Sequence, residues 1–265
     1  MTRILSISNQ KGGVGKTTTA VNLAASLASA ERRTLLVDLD PQGNAGSGLG
    51  IARDQVELSI YDALVGERRI DEVVRPTEFG YLDVAPASRD LVGAELELVN
   101  ADRREFRLRD ALAGVQGYDF VIVDCPPSLG LLTLNSLTAS TSVLVPLQCE
   151  YYAMEGLSAL MSTINLVRQG LNPALEIEGI LLTMFDRRTT LSAQVVNEVR
   201  GFFGDQVFQS VIPRNVRLSE SPSFGKPILL YDIESAGAQG YLALAQELLA
   251  KSDAPSGEPK SAAVG

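Results

Sequence analysis

Apolar residues along this chain cluster in short runs that predict buried strands, and the stretches between the runs have helical periodicity. The strand-like runs lie near residues 4–8, 34–38, 81–85, 119–124, 142–147, 177–184 and 207–212. The helical patterns lie near residues 17–30, 89–99, 103–114, 129–139, 154–169, 190–203 and 236–250. Near-continuous apolar runs are typical of central parallel strands, which are buried on both faces. The alternation therefore predicts a single α/β domain over residues 1–251, with one doubly wound, mostly parallel β-sheet flanked by helices on both faces.

Two segments depart from this pattern. Residues 41–80 are less regular, with a glycine-rich stretch at 43–50 and a short predicted helix near 59–65. From residue 252 onward the chain is polar and lacks core-forming residues. Such a composition cannot bury enough apolar surface to offset the entropy of ordering, so residues 252–265 are predicted to be a flexible tail.

Composition limits the class of protein. With 265 residues and 45% hydrophobic content, the chain can bury a large core as one domain. No apolar run approaches the roughly 20 residues that span a bilayer, and the first strand begins too early for a signal peptide, so we expect a cytoplasmic protein. The two cysteines, Cys125 and Cys149, have no C-x-x-C spacing and the chain has no histidine, which favours buried thiols over metal ligands.

Residues 9–19 read N-Q-K-G-G-V-G-K-T-T-T, between a strand-like run and a helical one. Glycines allow a tight turn that directs several backbone N–H groups, and the positive end of the next helix, toward one anion. Lys16 would reach the β- and γ-phosphates of a nucleotide, and the Thr17 hydroxyl would coordinate Mg²⁺. A glycine turn with two solvated lysines is the alternative. The residues expected to surround the phosphates are Lys11, Gly12, Gly13, Val14, Gly15, Lys16, Thr17 and Thr18.

Carboxylates follow two of the apolar runs. Asp38 and Asp40 end the second run, and Asp124 ends the fourth. Open α/β sheets bind their ligands at the carboxyl ends of the strands, so these side chains are expected beside the glycine loop. Asp124 is predicted to face Mg²⁺ through water, Asp40 to orient the attacking water, and Asp38 to hold the loop geometry. An aspartate that only caps the next helix is the alternative for either of the first two.

The glycine loop departs from the common G-x-x-x-x-G-K-[ST] pattern, because residue 10 is glutamine and a second lysine, Lys11, precedes the glycines. This loop resembles that of the ParA/Soj-type partition ATPases, in the deviant Walker A family that also holds MinD, the nitrogenase iron protein and the arsenical pump ATPase. Further blocks extend the resemblance from Ile4 to about Leu249: L-L-V-D-L-D-P-Q-G-N-A, D-C-P-P-S-L, Q-C-E-Y-Y-A-M-E-G and V-I-P-R-N-V-R-L-S-E-S-P-S-F-G-K-P. The resemblance implies that Lys11 enters the partner subunit's site, so that ATP bridges a homodimer.

The resemblance also implies a DNA surface, although the formal net charge is −9. Residues 185–227 contain six basic and four acidic residues. By similarity, four arginines would bind the phosphates of double-stranded DNA without reading sequence: Arg187, Arg188, Arg214 and Arg217. The alternatives are a solvated surface pair for the first two and intramolecular ion pairs for the last two. Pro213 and Asn215 are expected to line the adenine pocket, again by similarity.

The function expected from this resemblance is that of an ATPase in chromosome or plasmid segregation. ATP would close the dimer onto nucleoid DNA, and slow hydrolysis, stimulated by a ParB/Spo0J-type centromere-binding protein, would release it. The main alternative is a MinD-like membrane-associated division-site ATPase, which should end in a basic amphipathic helix. Here residues 239–251 carry one lysine and one glutamate, which argues against it. A metal-cluster carrier would need cysteines at the dimer face, and neither cysteine is placed for that.

Overall fold

The computed structural model describes residues 2–150 and 153–253, and an eight-stranded sheet forms the centre of this part of the chain. The strands are β1 Arg3–Ile7, β2 Thr34–Asp38, β3 Arg75–Pro76, β4 Leu82–Ala85, β5 Phe120–Asp124, β6 Ser142–Gln148, β7 Glu176–Phe185 and β8 Val207–Pro213. Their order across the sheet is β3-β4-β2-β5-β1-β6-β7-β8. Every pairing is parallel except that of β3 with β4. The predicted doubly wound α/β architecture is therefore confirmed.

Twelve α-helices are found in the described residues. They are α1 Lys16–Ser29, α2 Asn44–Ser47, α3 Ile60–Val65, α4 Ile70–Val73, α5 Leu91–Glu97, α6 Arg107–Leu112, α7 Leu131–Ala139, α8 Ala153–Gly170, α9 Thr190–Phe203, α10 Val216–Glu220, α11 Ile228–Tyr231 and α12 Ala236–Asp253. Short 3₁₀ turns lie at Arg53–Gln55, Leu98–Asn100, Arg104–Phe106, Gly204–Gln206 and Ser221–Phe224.

Helices pack on both faces of the sheet because successive strand residues point to opposite sides. On β2, Leu36 contributes to a core with α1 and α12, whereas Leu35 and Val37 contribute to a core with α3, α5, α6 and α7. A third core joins β6 and β7 to α8 and α9. Burial on both faces explains why the central strands are almost continuously apolar in sequence.

The predicted elements correspond closely to the observed ones. All seven strand-like runs form strands, and the short helix predicted near residues 59–65 is α3. The eighth strand, β3, was not predicted because two residues are too few to show periodicity. The helix predicted at 103–114 begins instead as the 3₁₀ turn Arg104–Phe106 and continues as α6. Helix α12 extends to Asp253, two residues beyond the predicted end of the domain at 251, and residues 254–265 lie outside the described residues.

The strand registers bring the predicted site residues to one edge of the sheet. Ile7, the last residue of β1, and Asp38, the last residue of β2, both lie opposite Asp124 at the end of β5. Cys125 and Cys149 are free and buried, as expected from the sequence. Within the described residues, no helix combines the length and apolar character needed to cross a bilayer.

Candidate functional site

The glycine loop leads directly from β1 into α1. Gly15 is the N-cap residue of α1 and has φ 87°, and Gly13 has φ 76°. Residues with a side chain rarely adopt this left-handed backbone conformation. Glycine at these two positions therefore lets the chain turn sharply into the helix. The free N–H groups of the first turn of α1 then point toward the loop, where they favour an anion.

Hydrogen bonds fix the loop to β6 and β7. The Asn9 side-chain amide donates to the Pro146 carbonyl at 2.7 Å, and the Asn9 Oδ1 accepts from the Lys11 N–H at 3.0 Å. On the other side, the Thr183 hydroxyl donates to the Val14 carbonyl at 2.9 Å. Sequence reasoning assigned no role to Asn9 or Thr183. The role of Asn9 could have been found from the sequence, because asparagine side chains commonly bond the backbone two residues further on, and Asn9 lies at the start of the glycine loop.

Lys16 lies inside the loop. It is 7% exposed, and its Nζ donates to the backbone carbonyl of Lys11 at 3.0 Å. Burial lowers the pKa of Lys16, while the charges of Asp124, Cys125 and Asp40 act in the opposite direction. A buried ammonium with a single carbonyl partner has two donor positions left for an anion.

Asp124 is fully buried at the end of β5. Within the described structure, neither of its carboxylate oxygens has a hydrogen-bond partner of normal geometry. Burial, followed by the charge of Asp38, raises the pKa of Asp124 well above its usual range, and the nearby Thr17 hydroxyl and Lys16 work against that rise. Buried carboxylates without partners are rare because they are costly. A carboxylate and a hydroxyl are oxygen donors of the kind that Mg²⁺ prefers, so these residues fit a magnesium ion.

Asp38 anchors the loop that follows β2. Its Oδ1 accepts from the Asp40 N–H at 3.1 Å, and its Oδ2 accepts from the N–H groups of Ala45 and Gly46 at 3.0 and 3.1 Å. Burial raises the pKa of Asp38 to about 7. These contacts match the supporting role predicted for Asp38, which satisfies the free amides at the start of α2.

Asp40 occupies a different position in the same loop. Its Oδ1 accepts from the Gln42 N–H at 2.9 Å, and among the described residues no hydrogen bond reaches its Oδ2. The residue is 9% exposed, and its charge acts on both Lys16 and Asp124. One carboxylate oxygen therefore remains free to accept from a water molecule near the phosphate loop.

Lys11 lies at the surface rather than inside its own loop. Its Nζ is 3.4 Å from Oε2 of Glu150, and the two side chains are 39% and 53% exposed. Glu150 also accepts from the Gln148 side-chain amide. Exposed ion pairs contribute about 0–1 kcal/mol, so Lys11 can leave Glu150 at little cost. Sequence reasoning assigned no role to Glu150, although it lies in one of the blocks that carry the resemblance.

A cavity of about 640 Å³ adjoins the loop. Gly15 and Thr18 lie on one side, and the two predicted adenine-contacting residues, Pro213 and Asn215, lie on another. Asn215 also caps α10, since its Oδ1 accepts from the Leu218 N–H at 3.4 Å. The cap alone gives Asn215 a structural reason to be there. The volume is within the range of about 300–1,000 Å³ that is usual for ligand pockets.

Two of the four predicted DNA-binding arginines are ion-paired within the chain. Arg188 is bonded to both carboxylate oxygens of Asp186, at 2.9 and 2.7 Å, and its side chain is 85% exposed. The hydrogen bond from Arg188 lowers the pKa of Asp186. Arg217 bonds to Glu220 at 3.0 Å and lies 3.4 Å from Asp232. For Arg217 the structure therefore shows the intramolecular ion pair that was the alternative interpretation.

The other two arginines are differently placed. Arg187 and Arg214 are exposed, and neither forms an ion pair within residues 2–150 and 153–253. The backbone N–H of Arg214 donates to the Phe185 carbonyl at 3.0 Å, which brings the end of β8 beside the end of β7. Both guanidinium groups are therefore available to an external anion on the same side of the sheet.

Known proteins are similar to this chain in sequence and in fold. A family model described as an AAA domain matches residues 2–177. The chromosome partitioning protein ParA of Myxococcus xanthus is 68% identical over 254 residues, which cover 96% of this chain and 89% of that protein. The sporulation initiation inhibitor protein Soj of Bacillus subtilis is 59% identical over 251 residues, covering 94% and 99%. The crystal structure of cobyrinic acid a,c-diamide synthase from Mycobacterium smegmatis with bound ADP and magnesium is 41% identical, with a TM-score of 0.85 and 96% of each chain covered.

Proposed function

This chain belongs to the ParA/Soj family of P-loop ATPases, and we propose that it acts in chromosome or plasmid segregation as an ATP-controlled DNA-binding switch. In this proposal, ATP drives dimerisation and non-specific DNA binding, and hydrolysis stimulated by a ParB-type partner releases the DNA. The partition relatives are more similar to this chain than the diamide synthase structure is, which favours partition over the synthase activity.

The observation that carries the proposal is the unpartnered carboxylate of Asp124 beside Lys16 and Thr17. A buried carboxyl group, a buried lysine and a helix start meet at the end of β1 and β5. This arrangement offers cationic and N–H donors for a triphosphate and oxygen donors for its metal ion. Thr17 and Asp124 would hold Mg²⁺, which when bound neutralises phosphate charge.

Separate residues of the chain would bind the phosphates and orient the attacking water. Lys16 would bind the β- and γ-phosphate oxygens with the donor positions that its carbonyl contact leaves free. The free carboxylate oxygen of Asp40 would orient a water molecule for attack on the γ-phosphate, while Asp38 keeps Asp40 in place through its N–H. The cavity lined by Pro213 and Asn215 would receive the adenine.

Lys11 would act on the second protomer. Its side chain is 39% exposed, and within residues 2–150 and 153–253 its ammonium contacts only Glu150. A lysine delivered from the partner stabilises negative charge on the transferring phosphoryl group, as an arginine finger does in other phosphate-transfer enzymes. Because the contact needs the γ-phosphate, dimerisation would depend on ATP.

Lys11→Ala is expected to bind ATP as a monomer. The substitution removes one weak surface pair and leaves Lys16 and the loop in place, so nucleotide affinity and folding should be unchanged. Sedimentation velocity with a non-hydrolysable ATP analogue measures the result. Glu150→Gln is the matched control, because it breaks the same pair but keeps the lysine, and it should dimerise. A Lys11→Ala protein that dimerises like the wild type would contradict the role in trans.

Arg187 and Arg214 are the proposed main DNA contacts. Both are exposed and unpaired in the described structure, so binding a phosphate breaks no existing ion pair. Arg188 and Arg217 must first leave their carboxylate partners. We therefore expect all four to face DNA, with the larger contribution from the two unpaired residues.

Arg187→Glu and Arg214→Glu are expected to weaken DNA binding without affecting ATP-driven dimerisation. Each phosphate contact contributes about 0.9 to the slope of log affinity against log salt, so losing one contact per protomer should lower the slope of the dimer by about 2. Fluorescence anisotropy with a labelled duplex across a salt series measures this slope. Arg32→Glu, the same charge change at an exposed residue after α1, is the control. Equal slopes in all variants would rule out these contacts.

The overall proposal is tested by duplex binding with ATP, with ADP and without nucleotide, at two salt concentrations. We expect retention of an unrelated-sequence duplex only with ATP, and loss of most of it at the higher salt concentration. Equal binding under all three nucleotide conditions, or none under any, would refute the switch.

A further inference from the structure

Two glycines from distant parts of the chain touch through their backbones. Gly50 lies after α2, and Gly225 ends the 3₁₀ turn that follows α10. A Cβ atom built on Gly225 would lie 2.8 Å from the Gly50 Cα and 3.3 Å from the Gly50 N. One built on Gly50 would lie 3.2 Å from the Gly225 carbonyl oxygen. Both residues have positive φ, 84° and 63°, so neither position accepts a side chain without displacing the other backbone.

Gly50 is connected to the nucleotide site by a series of hydrogen bonds along the loop after β2. The buried Asp38 carboxylate holds the N–H groups of Ala45 and Gly46, and the Ile51 N–H donates to the Gly46 carbonyl at 3.1 Å. The segment from Asp38 to Gly50 is therefore one tightly bonded unit. A shift of the carboxylates at the end of β2 moves Gly50 with them.

Gly225 is connected in the same way to the arginine surface. Its N–H donates to the Pro222 carbonyl at 3.1 Å, and the Lys226 N–H donates to the Ser221 carbonyl at 3.3 Å. This turn continues directly from α10, which carries Arg217. A displacement of Gly225 would therefore move α10 and, with it, Arg217 of the proposed DNA surface.

The region around the glycine contact is otherwise loosely filled. A cavity of about 380 Å³ lies beside this contact, and residues of both segments line it, among them Ser47, Ser223 and Lys226. The open space beside the contact would let the turn move when Gly50 moves, since no packed side chains of the described residues block it there. Side-chain rotation cannot absorb the movement at the contact, because neither residue has a side chain.

Hydrogen bonds of Asn22 also connect α1 to the chain just after this turn. The Asn22 side-chain amide donates to the Thr18 carbonyl at 2.8 Å, and its Oδ1 accepts from the Ile228 N–H at 2.7 Å. Thr18 and Asn22 lie on α1, directly after the glycine loop, and Ile228 begins α11, three residues after Gly225. The chain after the turn is thus fixed to α1 at Ile228, the first residue of α11, and the turn itself meets the loop after β2 at Gly225.

We propose that Gly50 and Gly225 are a pair of positioning residues that transmit the state of the nucleotide site to the DNA-binding surface. This inference rests on the proposed function. ATP bound at Lys16 and Asp40 shifts the loop after β2, the glycine contact passes the shift to the turn, and α10 moves with the turn. Neither glycine touches nucleotide or DNA.

The test is Gly225→Ala, with DNA affinity measured with ATP and with ADP. Coupling of two sites typically changes affinity by about 5–150-fold, and we expect wild-type protein to show a ratio in that range. In Gly225→Ala the ratio should fall well below the wild-type ratio, leaving only the part that dimerisation itself contributes, while affinity for a fluorescent ATP analogue and ATP-driven dimerisation stay at wild-type values. Gly66→Ala is the matched control, because Gly66 has the same left-handed conformation, with φ 87° and ψ 16°, but an added Cβ there would meet only the flexible end of Arg107, at 3.9 Å.

The outcomes separate this inference from the proposed function. If wild-type protein shows no ATP-dependent DNA binding, the proposed function fails. If wild-type protein shows it and Gly225→Ala keeps the same ratio as Gly66→Ala, the transmission fails. Should Gly225→Ala not fold, hydrogen exchange on wild-type protein decides. ATP must then change the protection of the Ile51 and Lys226 amides together, and a change at Ile51 alone overturns the inference.

Discussion

Lys16→Ala is expected to lower affinity for ATP by about 10²–10⁴-fold. Charge-assisted hydrogen bonds contribute about 1.5–3 kcal/mol each, and the ammonium would form two of them with the β- and γ-phosphates. The loss also removes the bond from Nζ to the Lys11 carbonyl, which shapes the loop when no nucleotide is bound. Isothermal titration with ATP and Mg²⁺ measures the effect directly.

The matched control for Lys16→Ala is Lys251→Ala. Lys251 lies on α12 with its Nζ over the Phe208 ring at 4.1 Å, far in sequence from the loop. This variant makes the same chemical change and should bind ATP as the wild type does. Wild-type affinity in Lys16→Ala would show that the glycine loop is not the phosphate site.

Asp40→Ala is expected to bind ATP, dimerise and remain on DNA, but to hydrolyse ATP about 10²–10⁴-fold more slowly. The reason is that the substitution removes a carboxylate oxygen that is free to hold water near Lys16, whereas Asp124 is assigned to the magnesium ion and Asp38 is engaged by three N–H groups. Single-turnover phosphate release measures the chemical step, and ATP-analogue binding reports whether the site is intact.

Two further variants separate charge from loop geometry. Asp40→Asn can still accept the hydrogen bond from the Gln42 N–H, but it carries no charge. We expect its turnover to be as low as that of Asp40→Ala. Asp54→Ala removes an exposed aspartate from the nearby 3₁₀ turn and should hydrolyse ATP normally. Normal turnover in both Asp40 variants would move the water-orienting role to another residue.

Much of this fold could be predicted because its central strands are buried on both faces. Strands such as β2 and β5 consist of five buried residues each, so they appear as unbroken apolar runs. Asp38 and Asp124 could be placed together because parallel strands end at the same edge of the sheet. Strand β3 could not be predicted, since its two residues pair at the edge of the sheet and bury little surface.

The interactions that could not be predicted join residues that are distant in sequence. Lys11 meets Glu150, and Gly50 meets Gly225, only because the strands between them are ordered as they are. Charge counting over residues 185–227 likewise could not show which arginines are paired. The bond of Arg188 to Asp186 is the exception, because a carboxylate two residues away was a visible local signal.

The contact between Lys11 and Glu150 has a thermodynamic consequence for any assembly of two subunits. In the proposed dimer, the ammonium would exchange an exposed carboxylate, worth about 0–1 kcal/mol, for a neighbour's triphosphate. The pair that is lost would offset only a small part of the gain from the new contact. Once hydrolysis has removed the terminal phosphate, each lysine could pair again with Glu150 of its own subunit, which would favour separation of the two subunits.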